Sequence, residues 1–298
     1  MIVPIDGATF FLNDQKHLSF CSHDYLGLSD HCEVKKNAIK FLLQYGMCAT
    51  TSENPSYAFN HQKQLEDKLA ALLGKETVLF FSSPPPISSM RKNVIFAESI
   101  HSIGGHFTDL SQISIPKDSL LCVDDSHSFA LFGKEGMGLS AHRDGIDLIT
   151  GSLSKGCGVF GYYLACSLQT ADLIQKIPDP FPSAVIGALE AALELIPNME
   201  GERKQLEQRS HFLRSELEEI GFKPISSISP LVALPFDSKE EAEALRKSLL
   251  EAHIWVAPSK EFHRQFLLQF ALTSAHMPDH LALLMQEIKA WKEALVAN

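Results

Sequence analysis

From Cys32 to about Tyr45 the apolar residues Val34, Ala38, Phe41 and Leu42 recur at helical spacing, and Gly46 follows as a stop. A second helix is predicted from about His61 to Leu73, with Leu65, Leu69, Leu72 and Leu73 on one face and Gly74 at its end. It leads into Thr77 to Phe81, a short run rich in β formers. Similar runs follow at Val94 to Ala97, Leu120 to Val123, Leu148 to Thr150 and Tyr162 to Cys166, with turn residues between them. These runs are apolar throughout instead of alternating, which predicts strands covered on both faces, as in a largely parallel α/β sheet.

After Pro197 the pattern changes to long charged helices alternating with isolated strands. Leu206, Leu213, Leu217 and Ile220 mark one helix face, and Gly221 ends it. Strands are expected at Leu231 to Leu234, Ile254 to Val256 and about Leu267 to Leu272, with helices near Ser238 to Ala252 and His280 to Ala297. The chain therefore divides into an N-terminal arm (1–31), a large domain (32–197) and a smaller C-terminal α/β domain (198–298).

Composition narrows the functional classes. With 45% hydrophobic and 21% charged residues, the chain reads as an ordinary globular protein. A net charge of −10 and the lack of any Lys/Arg run argue against a nucleic-acid partner. Six scattered cysteines with no C-x-x-C pair indicate neither a zinc site nor a disulfide framework and suit a reducing cytoplasm. The N-terminus lacks the pattern of a secretory signal, and no apolar run is long enough to span a bilayer.

Two stretches carry chemistry. In ITGSLSKGCG, Ile149 to Gly158, a strand runs into small residues around a single lysine, Lys155. An amine held among backbone amides and partly out of water can lose its proton and act as a nucleophile toward an aldehyde. A solvated loop lysine is the bland reading of this stretch by itself. In VDDSHSF, Val123 to Phe129, Asp124 leaves a buried strand, which is unfavourable unless it meets a cation such as a protonated pyridine ring. For His127 alone, a histidine that satisfies a turn is the simpler reading.

Taken together, the two stretches resemble the core of the α-oxoamine synthases, fold-type I enzymes that depend on pyridoxal 5'-phosphate (PLP). The resemblance extends in order through HDYLGLS (His23 to Ser29), LEDKLAALLGKETVLFFSS, VDDSHSF with GKEGMG, ITGSLSKG and LTSAH (Leu272 to His276). It implies an aspartate-aminotransferase-like fold: a large three-layer αβα domain that binds PLP and a smaller C-terminal α/β domain. It further implies that Lys155 forms the Schiff base with the cofactor and moves the substrate's α proton. Asp124 would pair with the pyridinium nitrogen and His127 would contact the ring oxygen. Ser152 would bind the phosphate, and Ser102 would stand beside the cofactor. The implied reaction is the decarboxylative condensation of an amino acid with an acyl thioester, L-alanine with a pimeloyl thioester in the biotin-forming branch. A homodimer is implied as well.

Four departures from the family pattern bear on these expectations. Pro84 and Pro85 replace a Gly-aromatic pair whose N–H groups cradle the phosphate, leaving Ser82, Ser83, Ser88 or Ser152 to compensate. Only six residues separate Pro86 from Asn93, where the family has a long segment with a ring-stacking histidine; the sheet should therefore be truncated on one side. His101 and His106 are the nearest histidines, and loop positions are the plainer reading of both. Gln269 stands where the family has a carboxylate-binding arginine, and Glu53 stands where another arginine is expected. These losses leave two alternatives open: a non-catalytic scaffold or partner subunit, and a PLP acyltransferase with another amino-acid or acyl substrate.

Overall fold

The computed structural model describes residues 2–47, 57–90, 92–174 and 180–297. Glu53 lies outside the described residues. The N-terminal part holds β1 (Ile2–Pro4), β2 (Thr9–Leu12), β3 (Gln15–Ser19), α1 (Cys32–Tyr45) and α2 (Tyr57–Leu73). The middle holds β4 (Thr77–Phe81), β5 (Val94–Glu98), β6 (Leu120–Asp124), β7 (Leu148–Ser152), β8 (Tyr162–Cys166), α3 (Leu168–Ala171) and α4 (Ser183–Leu195). Then come α5 (Glu200–Glu219), β9 (Leu231–Phe236), α6 (Lys239–Glu251), β10 (Ile254–Trp255), β11 (Lys260–Phe262), β12 (Gln265–Ala271) and α7 (Pro278–Ala297).

The chain forms two compact units. One contains 1–27, 101–107 and 201–298, and the other contains 28–100 and 108–200. Compared with the expected pieces 1–31, 32–197 and 198–298, the first unit joins the N-terminal arm to the C-terminal domain.

The second unit is built on a five-stranded sheet in the order β4-β8-β7-β6-β5. Four of its five strands point the same way, as the largely parallel reading of the sequence expected, and β8 is the exception. β5, β6 and β7 run parallel, but β8 is antiparallel to both β7 and β4. A run buried on both faces reads the same in either direction, so its composition carries no information about orientation. β7 is buried along its whole length, and Phe81, Met90, Cys122, Leu148, Leu164 and Cys166 form the core around it. α1 packs on α4 at Gly187, where an added Cβ would lie 2.6 Å from the Asn37 carbonyl and 2.7 Å from the Phe41 ring. The Asn37 amide donates to the Gly187 carbonyl at 2.8 Å and fixes this crossing. β4 and β5 occupy opposite edges of the sheet and are joined by a short proline-containing stretch.

The first unit has a four-stranded sheet, β1-β2-β3-β10, and a three-stranded sheet, β11-β12-β9. β2 and β3 form a hairpin whose turn residues, Asn13 and Asp14, both have positive φ, the conformation a two-residue turn of this hand requires. β3 also pairs parallel with β10, bringing Leu18 opposite Ile254. Arg214 is buried on α5, and its guanidinium donates to the carbonyls of Ser210, Ile225, Ser229 and Leu231.

His276 of LTSAH is fully buried in this unit. Its Nδ1 accepts from Thr273 N, its Nε2 faces the Ser19 carbonyl at 3.0 Å, and its ring stacks on Phe20. Burial, reinforced by the nearby His280 and Arg209, lowers its pKa from 6.5 to about 4. Between these values the unfolded chain binds the extra proton. Stability from this site is therefore complete above pH 6.5 and is lost as pH falls toward 4, by about 3 kcal/mol. Thermal melts across that window are expected to show this slope, and His276→Gln should flatten it. An unchanged slope in the variant would place the effect elsewhere.

Candidate active site

Because β6 and β7 are parallel, their carboxyl ends lie side by side, and each ends in a polar residue, Asp124 and Ser152. Ligands bind at this end of open α/β sheets. Desolvation by burial is the largest influence on Asp124 and raises its pKa above the ordinary carboxylate value. The Ser126 backbone N–H, donating at 2.7 Å, opposes the shift, as does the positive charge of Lys155. Glu98, opposite Asp124 in the β5–β6 register, pushes the pKa further up. The site is thus an acid whose ionised form would be favoured by a further cation.

Lys155 is partly buried in a tight excursion from β7. Leu153 N donates to Gly161 O, Val159 N to Leu153 O, and Gly158 N to Lys155 O. The next residue must be glycine: a Cβ on Gly156 would lie 2.3 Å from the Phe129 carbonyl oxygen and 2.5 Å from the Ala130 Cβ. That close approach ties the lysine loop to the turn that follows Asp124, so the amine and the acid are positioned by one packed substructure. Gly151 is needed for a similar reason, since its Cβ would lie 2.6 Å from the Tyr163 ring.

The serines extend the arrangement. The Ser126 hydroxyl accepts from Ser152 N at 2.8 Å, linking the ends of β6 and β7, and the hydroxyls of Ser152 and Ser154 share a 2.8 Å hydrogen bond beside Lys155. His127 is buried within the turn closed by Ser128 N donating to Asp125 O. Sequence reasoning gave no role to Ser126 or Asp125. Asp125 is fully buried and binds Ser140 through its backbone N–H at 3.0 Å and its hydroxyl at 2.9 Å. It thereby anchors the GKEGMG loop, in which Gly138 leaves room for the carboxylate. The acidic doublet in VDDSHSF was the available signal, but its partner lies fifteen residues downstream.

Among the described residues, the Tyr163 hydroxyl is the buried side-chain polar atom that lacks a partner. It lies within electrostatic reach of both Asp124 and Asp125, and burial holds its pKa far above the usual phenol value.

The remaining predicted residues are placed as follows. Ser83 is exposed after β4, next to Ser82 and Pro84. Beyond the prolines, the Pro86 carbonyl takes both the N–H and the hydroxyl of Ser89, so those donors are used within the turn. Ser102 belongs to the first unit, where its carbonyl accepts from the Gln269 side chain. His101 and His106 lie in the same segment and stack on each other at 4.8 Å with Phe262 alongside. No cluster of three or more metal-ligating side chains occurs among the described residues. None of the described helices is long and apolar enough to cross a membrane.

The donor set suits part of a pyridoxal phosphate. A carboxylate for the ring nitrogen and an amine for the aldehyde carbon stand in one substructure. Hydroxyls from Ser152 and Ser154, with Ser83 on the β4 side, are the groups suited to the phosphate. Pro84 and Pro85 contribute no N–H, so the phosphate has fewer donors than a glycine-rich turn would supply.

Comparison with known proteins agrees with this chemistry. Residues 83–288 match the family model described as aminotransferase class I and II. A Desulfosudis oleivorans protein described as a candidate 8-amino-7-oxononanoate synthase is 27% identical over 360 residues, covering 98% of this chain and 93% of that protein. That span exceeds the 298 residues of this chain, in keeping with an internal segment that the relative has and this chain lacks. The 8-amino-7-oxononanoate synthase of Trichlorobacter lovleyi is 26% identical, with 91% of this chain and 88% of that protein covered. Among solved structures, the Sphingomonas wittichii serine palmitoyltransferase superposes with a TM-score of 0.82 at 17% identity, covering 98% of this chain and 91% of that one. The Francisella tularensis 8-amino-7-oxononanoate synthase superposes with a TM-score of 0.78 at 19% identity, covering 94% and 99%. These superpositions establish the fold-type I architecture. The chain belongs to the aminotransferase class I and II family, in its α-oxoamine synthase branch, whose cofactor is pyridoxal 5'-phosphate.

Proposed function

We propose that this chain is a PLP-dependent acyltransferase that condenses L-alanine with a pimeloyl thioester, as in 8-amino-7-oxononanoate synthesis. The observation that carries the reading is geometric: Asp124 ends β6 beside the end of parallel β7, and the Lys155 loop that follows β7 packs through Gly156 against Phe129 and Ala130 of the turn after Asp124. When bound, PLP would supply an electron sink that acidifies the amino acid's α-carbon. Asp124 keeps the ring nitrogen protonated by pairing with it. The Lys155 amine takes the α proton and later returns one to the same carbon. Ser152 and Ser154 would hold the phosphate, and His127 would contact the ring oxygen.

In the overall change a bond forms between the α-carbon and the acyl carbonyl carbon. The carbon–sulfur bond breaks and sulfur leaves as the thiol. The carboxylate leaves as carbon dioxide, its electron pair staying on the α-carbon, with net uptake of one proton. Incubation with PLP, L-alanine and a pimeloyl thioester tests this by alanine-dependent thiol release and by mass spectrometry of the amino ketone. Cofactor uptake without product would reject the substrate assignment.

A second reading, the same chemistry on another amino acid, rests on Gln269. Its amide is buried and donates to the carbonyls of Ser102 and Ile103, so it holds backbone where an arginine would hold a carboxylate. Product formation from an amino acid other than alanine would favour that reading.

A further inference from the structure

β6 and β7 pair in a register that sets Asp124 opposite Thr150, and the pairing runs one step further, with Asp125 N donating to Thr150 O at 2.7 Å. The chain then turns, and Ser126 comes to stand between Asp124 and Ser152. A hydroxyl accepts through its lone pairs and has a single proton to give. At Ser126 a lone pair takes Ser152 N at 2.8 Å, which leaves the proton for a second acceptor. Asp124 is that acceptor: the Ser126 N–H donates to Oδ1 at 2.7 Å, and the hydroxyl bonds the same carboxylate. Ser126 is only 5% exposed, so both bonds are shielded from water.

A carboxylate drawn out of water favours its neutral form, and a neutral acid forms no ion pair with a protonated ring nitrogen. Around Asp124, Lys155 from the loop after β7 favours the charged form, whereas Glu98 on β5 opposes it. Cys122 on β6 and Tyr163 on β8 lie within electrostatic reach, and burial keeps both neutral. Within the turn, Asp125 is directed onto Ser140, and His127 is buried. Lys155 is also the amine that would react with the aldehyde, so its charge is not constant. The Ser126 hydroxyl is a donor whose contribution is the same with or without cofactor.

We propose that Ser126 is a positioning residue: its hydroxyl, filled on one side by Ser152 N, gives its proton to the Asp124 carboxylate and keeps that acid charged and aimed for the ring nitrogen. This role rests on the pyridoxal-phosphate reading of the site. Ser126→Ala removes the hydroxyl and keeps the N–H. In cofactor-free full-length protein isotope-labelled at the aspartate carboxyl carbons, the Asp124 resonance is identified by its loss in Asp124→Asn. Its ionisation constant should be about tenfold or more weaker in Ser126→Ala, the worth of a hydrogen bond to a charged group. Affinity for PLP, titrated separately, should fall by about the same factor. Ser126→Thr keeps the hydroxyl and should restore both values. If the threonine variant fails to fold by circular dichroism, wild type against Ser126→Ala decides alone. If the alanine variant fails, Ser126→Cys, a weaker donor, takes its place with shifts in the same direction. An Asp124 titration unmoved by loss of the hydroxyl overturns the proposal, and so does a moved titration with unchanged PLP affinity. Because the titration contains no cofactor, a wild type that binds no PLP would reject the proposed function, and the cofactor role of Ser126 with it, while the Ser126–Asp124 bond would still be decided.

Discussion

Lys155→Ala is expected to give folded protein that takes up no covalently held cofactor and whose turnover is lower by about a thousandfold or more. The side chain is partly buried and the loop around it is held by backbone hydrogen bonds and by the glycine contact with Phe129, none of which needs the amine. What disappears is the nucleophile for the aldehyde and the group that moves the α proton. Positioned proton transfer alone contributes roughly 10²–10⁴-fold. The check is a visible absorption band in wild type incubated with PLP, absent from the variant, together with alanine-dependent thiol release. A variant that keeps the band would move the reactive amine to another residue.

Asp124→Asn is expected to act in opposite directions on stability and on cofactor binding. Burial raises the folded pKa of Asp124 above its unfolded value. Any stability from this group is therefore present below the unfolded pKa and is lost as pH rises through the folded one, so at neutral pH the ionised acid burdens the cofactor-free fold. Asparagine removes the charge and can still accept from Ser126 N. The cofactor-free variant should be more stable by on the order of 1 kcal/mol. Its affinity for PLP should fall about 10–100-fold, the worth of a lost charge-assisted hydrogen bond. Thermal melts without cofactor and a titration with PLP measure the two effects. A purely structural carboxylate would predict a lower melting temperature and unchanged binding.

Both predictions concern residues whose stretches stand out locally, small residues around Lys155 and an acid leaving a buried strand, but only the resemblance that joins the two stretches gives them roles. The strand runs at Thr77–Phe81 and Tyr162–Cys166 were likewise readable from apolar content. Direction was not: nothing in the composition of β8 distinguishes the two senses, so its antiparallel run could not be read. The β2–β3 hairpin went unread although Asn13-Asp14 is a turn signal, since the flanking strands are short and only partly alternating. α4 was missed for a different reason. It is apolar over most of its surface, with Ile186, Leu189, Ala192 and Leu193 buried, and so lacks the one-sided stripe that announces a helix. The roles of Ser126 and Asp125 depend on partners 26 and 15 residues away, which no local pattern specifies.

Reduction of the PLP-treated protein with borohydride, followed by digestion and mass spectrometry, locates the pyridoxyl group on the chain. A dominant modification at Lys155 is expected, lost at limiting PLP when Asp124 is asparagine. Label spread over exposed lysines such as Lys36 and Lys247, with Lys155 unmodified, would contradict it.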